Sequence, residues 1–208
     1  MAARTTKPKK RLGRPPASDS AGTKRRILDH ARAAFAEVGY ESATNRELAE
    51  EVGVTAGALY HYFGSKVDLY VAVYDDVREL VYGRFEEAAA GADTFLDKFE
   101  AVLDAAHELN RQDPTLAAFV GTLRADLRRT PALAKALSAD VAKRDKFFVS
   151  LIDEGVERGE IPPERRAAVI ALVMTFLVGL NDGVSDDNER HLQAVTAIKL
   201  AMRGRLLA

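Results

Sequence analysis

Thr44-Asn45-Arg46-Glu47-Leu48-Ala49-Glu50-Glu51-Val52-Gly53-Val54-Thr55-Ala56-Gly57-Ala58-Leu59-Tyr60-His61-Tyr62-Phe63-Gly64-Ser65-Lys66 is the stretch that decides the fold. Thr44 and Glu47 have the spacing of a capping box, which starts a helix at about Asn45. Leu48, Ala49 and Val52 give that helix an apolar stripe. Gly53 ends it, because glycine takes the left-handed conformation that a helix stop often needs. Thr55 then caps a second short helix, with Leu59 and Phe63 facing inward. Ser65 opens a third.

Ala49, Gly53 and Leu59 are a small residue, a turn glycine and an inward anchor at the spacing of a helix-turn-helix. That motif sets its second helix in a DNA major groove. An ordinary buried helix corner would explain Gly57-Ala58-Leu59-Tyr60. It would not explain three ring side chains, Tyr60, His61 and Tyr62, on one short helix with Lys66 just beyond.

The run from Gly53 to Lys66 resembles the recognition-helix signature of the TetR family of transcriptional regulators. Ile27, Ala31, Phe35, Gly39-Tyr40 and Ala43-Thr44 agree with it upstream. The likeness covers roughly residues 23–75; beyond that the chain is similar in length and helical character alone. The resemblance implies that Thr44, Asn45, Thr55, Gly57, Tyr60, Tyr62 and Lys66 lie at DNA. Thr44, Tyr62 and Lys66 would hold phosphates, which position without specifying sequence. Lys66 sits in a first helical turn, whose free N–H groups favour an anion. The family often has a polar residue where Ala56 stands. Ala56 and Ala58 can instead meet thymine methyl groups. His61 completes the candidate DNA face, and much of the discrimination would then fall to apolar contact and DNA shape.

The charge distribution points the same way. The chain has 208 residues and a net charge of −1. Residues 1–26 carry Arg4, Lys7, Lys9, Lys10, Arg11, Arg14, Lys24, Arg25 and Arg26 against Asp19 alone, a net of +8. The remaining residues therefore carry −9. A basic arm on an acidic body indicates nucleic acid or another anionic surface. The arm, residues 1–22, has no apolar period and is expected to be disordered in isolation. Gly13-Arg14-Pro15 resembles the centre of an AT-hook, although Leu12 stands where the full hook has a second arginine. Arg14 is a candidate minor-groove residue; a solvated tail that adds only general charge is the other reading.

Hydrophobic periodicity predicts an all-α protein of about nine helices, with no strand pattern. The expected helices are about 23–38, the two of the motif, 66–90, 93–111, 114–129, 131–158, 163–184 and one from Asp187 or Asn188 nearly to the end. Val38 joins Ile27, Leu28, Ala31 and Phe35 on the inner face of the first. Pro114 and Pro131 suit first helical turns. The organisation expected is a basic arm (1–22), a three-helix DNA-binding domain (23–70) and a helical ligand-binding and dimerisation domain (71–208). Ala167 to Leu180 is apolar almost all round, so that helix must be covered on both sides. One side can face its own domain and the other a partner. With Leu192, Val195, Ile198, Leu200 and Met202 of the last helix it suits a homodimeric four-helix bundle, and Gly179 and Gly183 permit close approach. Glutamate at Val173 or Leu177 should disrupt a helix that serves both core and dimer. A central core helix in a monomer is the alternative.

Composition bounds the remaining classes. There are no cysteines, hence no disulfide and no thiolate metal site. The N-terminus lacks the apolar segment of a secretory leader. The apolar run is too short to span a bilayer comfortably, so no membrane partner is expected and the location is cytoplasmic. No catalytic or phosphate-binding fingerprint is present, and no cofactor is expected. Asp104 and His107, at i and i+3, could join a metal site or make an ordinary surface contact. Asp182, Asp186 and Asp187 read as a solvated loop. Asn181 and Asp182 could edge a pocket.

Phe99, Leu103, Leu116, Phe119, Val120, Leu123, Phe147, Phe148, Leu151, Met174 and Leu177, with Asn181, are the candidate pocket residues; core packing is the alternative for each. As a set they imply a hydrophobic or amphipathic effector with few polar anchors. Val77 and Leu80 would carry its displacement to Lys66. The function expected is a ligand-responsive homodimeric regulator, a repressor released from a palindromic double-stranded operator by a small effector. Two alternatives remain: a helical binding protein or enzyme with a vestigial DNA-binding domain, and a non-specific DNA-architectural protein.

Overall fold

The structure, a computed structural model, describes residues 17–207, and side chains throughout that span except at 17–19 and 139–145. Arg14 and the rest of the arm before residue 17 lie outside the described residues. No strand occurs among the described residues, and nine α-helices do.

Helix α1 (Ala17–Ser42) begins earlier than Thr23, and Gly39 interrupts it with φ 77° and ψ 171°. An L-residue with a Cβ rarely adopts that conformation. Ile27, Ala31 and Phe35 are fully buried, but Val38 is 50% exposed, contrary to expectation. The helix ends there. Gly39 redirects the chain so that the Tyr40 ring turns inward, 6.1 Å from Phe35 and 5.4 Å from Tyr70.

Helix α2 (Asn45–Val52) has both halves of the capping box: Glu47 N–H donates to Thr44 Oγ1 at 3.2 Å, and Thr44 N–H donates to Glu47 at 3.1 Å. Gly53, at φ 76°, closes it. Helix α3 (Ala56–Tyr62) is capped by Thr55 Oγ1, which accepts from Ala58 N–H at 3.1 Å. Leu48, Ala49, Leu59 and Phe63 lock the two helices into the core.

Ser65 caps α4 (Lys66–Ala90), which packs on α1 and on α5 (Phe95–Gln112). Thr94 caps α5, its hydroxyl accepting from Asp97 N–H at 3.1 Å. Proline occupies the first turns of α6 (Pro114–Arg129) and α7 (Pro131–Glu157). A 3-10 turn, Pro163–Arg165, delays α8 to Arg166–Gly183. Asp187 caps α9 (Asn188–Met202) by accepting from Glu189 and Arg190 N–H.

Helix α6 lies along α1, and α9 along α5. Tyr70, fully buried, stands at the junction between the first three helices and the rest, with Phe35 and Phe119 4.9 and 5.1 Å away. Val173 is 1% exposed inside its own chain, and Leu177 faces an internal cavity, so neither is on an outer face. The outward stripe is Ala168, Leu172, Thr175 and Gly179.

Candidate nucleic-acid interface and effector cavity

The helix-turn-helix presents one continuous polar face. Thr44, Thr55, Ala56, Gly57, Tyr60 and His61 are exposed, while Asn45, Tyr62 and Lys66 are half-buried. Asn45 Nδ2 donates to the Tyr60 hydroxyl at 2.6 Å. The hydroxyl oxygen accepts that bond and keeps its own O–H as a donor, and Tyr60 is 49% exposed. His61 and Tyr62 meet edge to face at 6.0 Å. Lys66 is turned back: its ammonium lies 4.4 Å from the centre of the Tyr40 ring and donates to Glu41 O at 3.3 Å. Burial holds its pKa below the ordinary lysine value. Arg46, with its side chain 83% exposed and paired to Glu50 at 3.2 Å, adds a cation beside Asn45 that spacing alone did not single out.

A second feature lies in the body. A cavity of about 270 Å³ is enclosed by α4, α5, α6, α7, α8 and α9. Seven of the expected residues line it: Leu116, Val120, Leu123, Phe148, Met174, Leu177 and Asn181. Five do not. Phe99, Leu103, Phe119 and Leu151 are solid core, and Phe147 packs against Tyr82, Phe85 and Phe148. Their helix faces point away from the gap. Val77 lines the cavity, but Leu80 is absent from its wall and is 44% exposed. The expected scarcity of polar anchors is also corrected: Arg78, Asn110, Arg124, Asp182 and His191 are on the wall.

The candidate metal pair separates. Asp104 accepts from Lys199 at 2.7 Å, and His107 instead stacks on His191, with the two Nδ1 atoms 3.2 Å apart. No group of three metal-ligating side chains occurs among the described residues. Asp182 borders the cavity, Asp187 is a helix cap, and Asp186 is exposed.

Burial, then the neighbouring His107, holds the pKa of His191 below the ordinary value of 6.5. The unfolded chain therefore takes up a proton that the folded chain refuses, and stability falls as pH drops below about 6.5. Thermal melts between about pH 7 and pH 5 should show this loss, and His191→Gln should remove most of it. An unchanged pH profile in that variant would refute the assignment.

The cavity wall is close to the contacts that hold the DNA-binding helices. Asp126, on α6 three residues beyond Leu123, is 4% exposed. It accepts from Tyr40 N–H at 3.1 Å and from the Tyr70 hydroxyl at 3.0 Å. Arg32 on α1 donates to Thr115 Oγ1 at 2.9 Å and to Asp113, at the start of α6.

Residues 27–73 match the family model of bacterial regulatory proteins, tetR family. The chain is 28% identical over 189 residues to the HTH-type transcriptional regulator UidR of Escherichia coli, covering 89% of this chain and 94% of UidR. It is 31% identical over 174 residues to the HTH-type transcriptional repressor Rv1474c of Mycobacterium tuberculosis, covering 74% of this chain and 91% of that repressor. Its fold is that of FadR from Bacillus subtilis, solved in complex with stearoyl-CoA, with a TM-score of 0.71 at 19% identity, over 88% of this chain and 97% of FadR. It is a DNA-binding transcriptional regulator, and the helix-turn-helix together with the match along most of Rv1474c shows that the chain belongs to the TetR family.

Proposed function

We propose that the protein is a homodimeric repressor that leaves a palindromic operator when a small amphipathic effector fills the cavity. Residues 23–70 form the DNA-binding unit and residues 71–208 the effector and dimerisation unit. The observation that carries this reading is Tyr60, held outward on α3 by Asn45 while its ring stays exposed. Thr44, Asn45, Thr55, Ala56, Gly57, His61, Tyr62 and Lys66 complete the face. DNA draws Lys66 from Tyr40 to a phosphate. Such a regulator works in the cytoplasm, at the chromosome.

The helices that wall the cavity also hold the DNA unit, which supports effector control. Displacing Leu116, Val120 or Leu123 moves α6, and with it Asp126 and its grip on Tyr40 and Tyr70. Displacing Val77 moves α4 and Lys66. Effector and operator then weaken each other reciprocally. The likeness of fold to FadR, solved in complex with stearoyl-CoA, supports an amphipathic effector.

Genomic fragment selection followed by titration of the selected operator tests the reading. Tyr60→Ala should cost roughly 1–3 kcal/mol of binding and relax specificity, whereas Lys66→Ala should weaken all sequences alike and reduce the salt slope by about one unit. Unchanged operator affinity in both variants would sink the assignment of α3.

A further inference from the structure

The polar atoms of the cavity are unequal. Arg78, on α4, has a buried Nε with no hydrogen-bond partner, and its guanidinium is 3.8 Å from Asp75, beyond hydrogen-bonding distance. A buried, unmatched donor on a cation requires an explanation. Asn110, on α5, is 1% exposed. Its amide orientation is fixed, because Nδ2 donates to the Ser185 carbonyl and to Asn188 Oδ1, both at 3.1 Å. Its Oδ1 is buried and unpartnered. The cavity thus offers a charged donor at one place and a neutral acceptor at another, with Phe85, Phe148 and Met174 along the wall between the helices.

A carboxylate matches the first group, since its two oxygens fit the in-plane donors of a guanidinium. It does not match the second, because the Asn110 oxygen repels an anion and accepts from a hydroxyl. Arg124 adds a second positive charge on an exposed rim. Asp182 is the opposing charge. It lies against α6, where a Cβ on Gly121 would come 3.3 Å from its Oδ1. Two guanidinium groups and one carboxylate thus stand on the wall, and the Asp75 carboxylate 3.8 Å from Arg78 is close enough for an ion pair but too far to occupy its donors.

We infer that the cavity binds an amphipathic hydroxy acid, with its carboxylate on Arg78, its hydroxyl on Asn110 Oδ1 and its apolar body against Phe85, Phe148 and Met174. This rests on the proposed effector role of the cavity and specifies the chemical class of the effector.

Calorimetric titration of the full-length protein with decanoate, beta-hydroxydecanoate, methyl decanoate and decylamine tests it. The hydroxy acid should bind most tightly and decanoate next. The ester and the amine should be weaker than decanoate by roughly tenfold to a hundredfold, the range for loss of one charge-assisted pair. Arg78→Gln should abolish the preference for the acid over the ester while leaving ester affinity within a few-fold. Arg78→Lys, which keeps the charge but loses the fork, should restore part of it. Failure of all four probes to bind, an acid preference that survives Arg78→Gln, or no gain from the hydroxyl would each overturn the assignment. Binding with the expected selectivity but without operator release would leave the ligand class standing and refute the effector role.

Discussion

Replacing Asp126 with alanine should lower the free energy of unfolding by roughly 2–4 kcal/mol, read from urea melts. Asp126 is 4% exposed and serves two donors, one of them fully buried. One is the backbone N–H of Tyr40, immediately after the Gly39 break. The other is the hydroxyl of Tyr70, enclosed by Phe35, Tyr40 and Phe119. Burial and the adjacent Asp126 carboxylate both push Tyr70 well above the ordinary tyrosine value, so it remains a donor at any physiological pH. Alanine strands both donors. An asparagine side chain would keep one carbonyl acceptor, so Asp126→Asn should lose markedly less. A loss below about 1 kcal/mol in Asp126→Ala would show that these bonds add little to what the rings already hold. The same variant should blunt effector control, since the carboxylate is the point where α6 grips both α1 and α4.

Asp126 also marks where the sequence stops being legible. Its neighbours Arg124, Arg128 and Arg129 make it look like one charge of a solvated face. Its partners are 86 and 56 residues away, and no periodicity connects them. The His107–His191 pair, 84 residues apart, was hidden for the same reason. Local chemistry was readable: Thr44 with Glu47, Gly53, Thr55 and Ser65 each act within four residues, and the helix ends they set fall where spacing placed them. Apolar residues on α5, α6 and α7 were correctly read as buried, but burial does not separate a cavity wall from a filled core. Phe119 and Val120 are adjacent, yet the first is fully buried with its ring 5.1 Å from that of Tyr70 and the second faces the gap. Adjacent residues point about 100° apart around a helix, so which of the two meets the gap depends on how α6 is turned and on what six helices fail to fill. Arg78 shows the converse: a charge three residues from Asp75 reads as surface, but α4 carries part of it inside.

Placing glutamate at both Leu172 and Leu200 should convert a dimer into a folded monomer and weaken operator binding by at least about a hundredfold, because two recognition helices would no longer be linked. Helix α8 has a mean hydropathy of 1.4, yet only 11% of its apolar window is buried within its own chain. Among its exposed positions, Ala168, Leu172, Thr175 and Gly179 recur at steps of four, three and four, which makes one stripe. On α9, Leu192, Thr196 and Leu200 form a parallel stripe. Leu172, Leu192 and Leu200 are 43, 48 and 37% exposed, an apolar area that a soluble protein covers with a partner. A Cβ on Gly179 or Gly183 would meet no atom within 4 Å, so a second α8 can approach closely there. Four glutamates across a two-fold axis would bury unpaired charges at the cost of several kcal/mol. In the single chain the same side chains stand in water, so circular dichroism should be unchanged. Val173→Glu is the informative contrast: Val173 is 1% exposed in its own chain, and that variant should unfold rather than dissociate. Sedimentation of the wild type at micromolar concentration decides the matter. A wild-type monomer, or a double variant that remains dimeric, would mean that α8 and α9 do not form the interface.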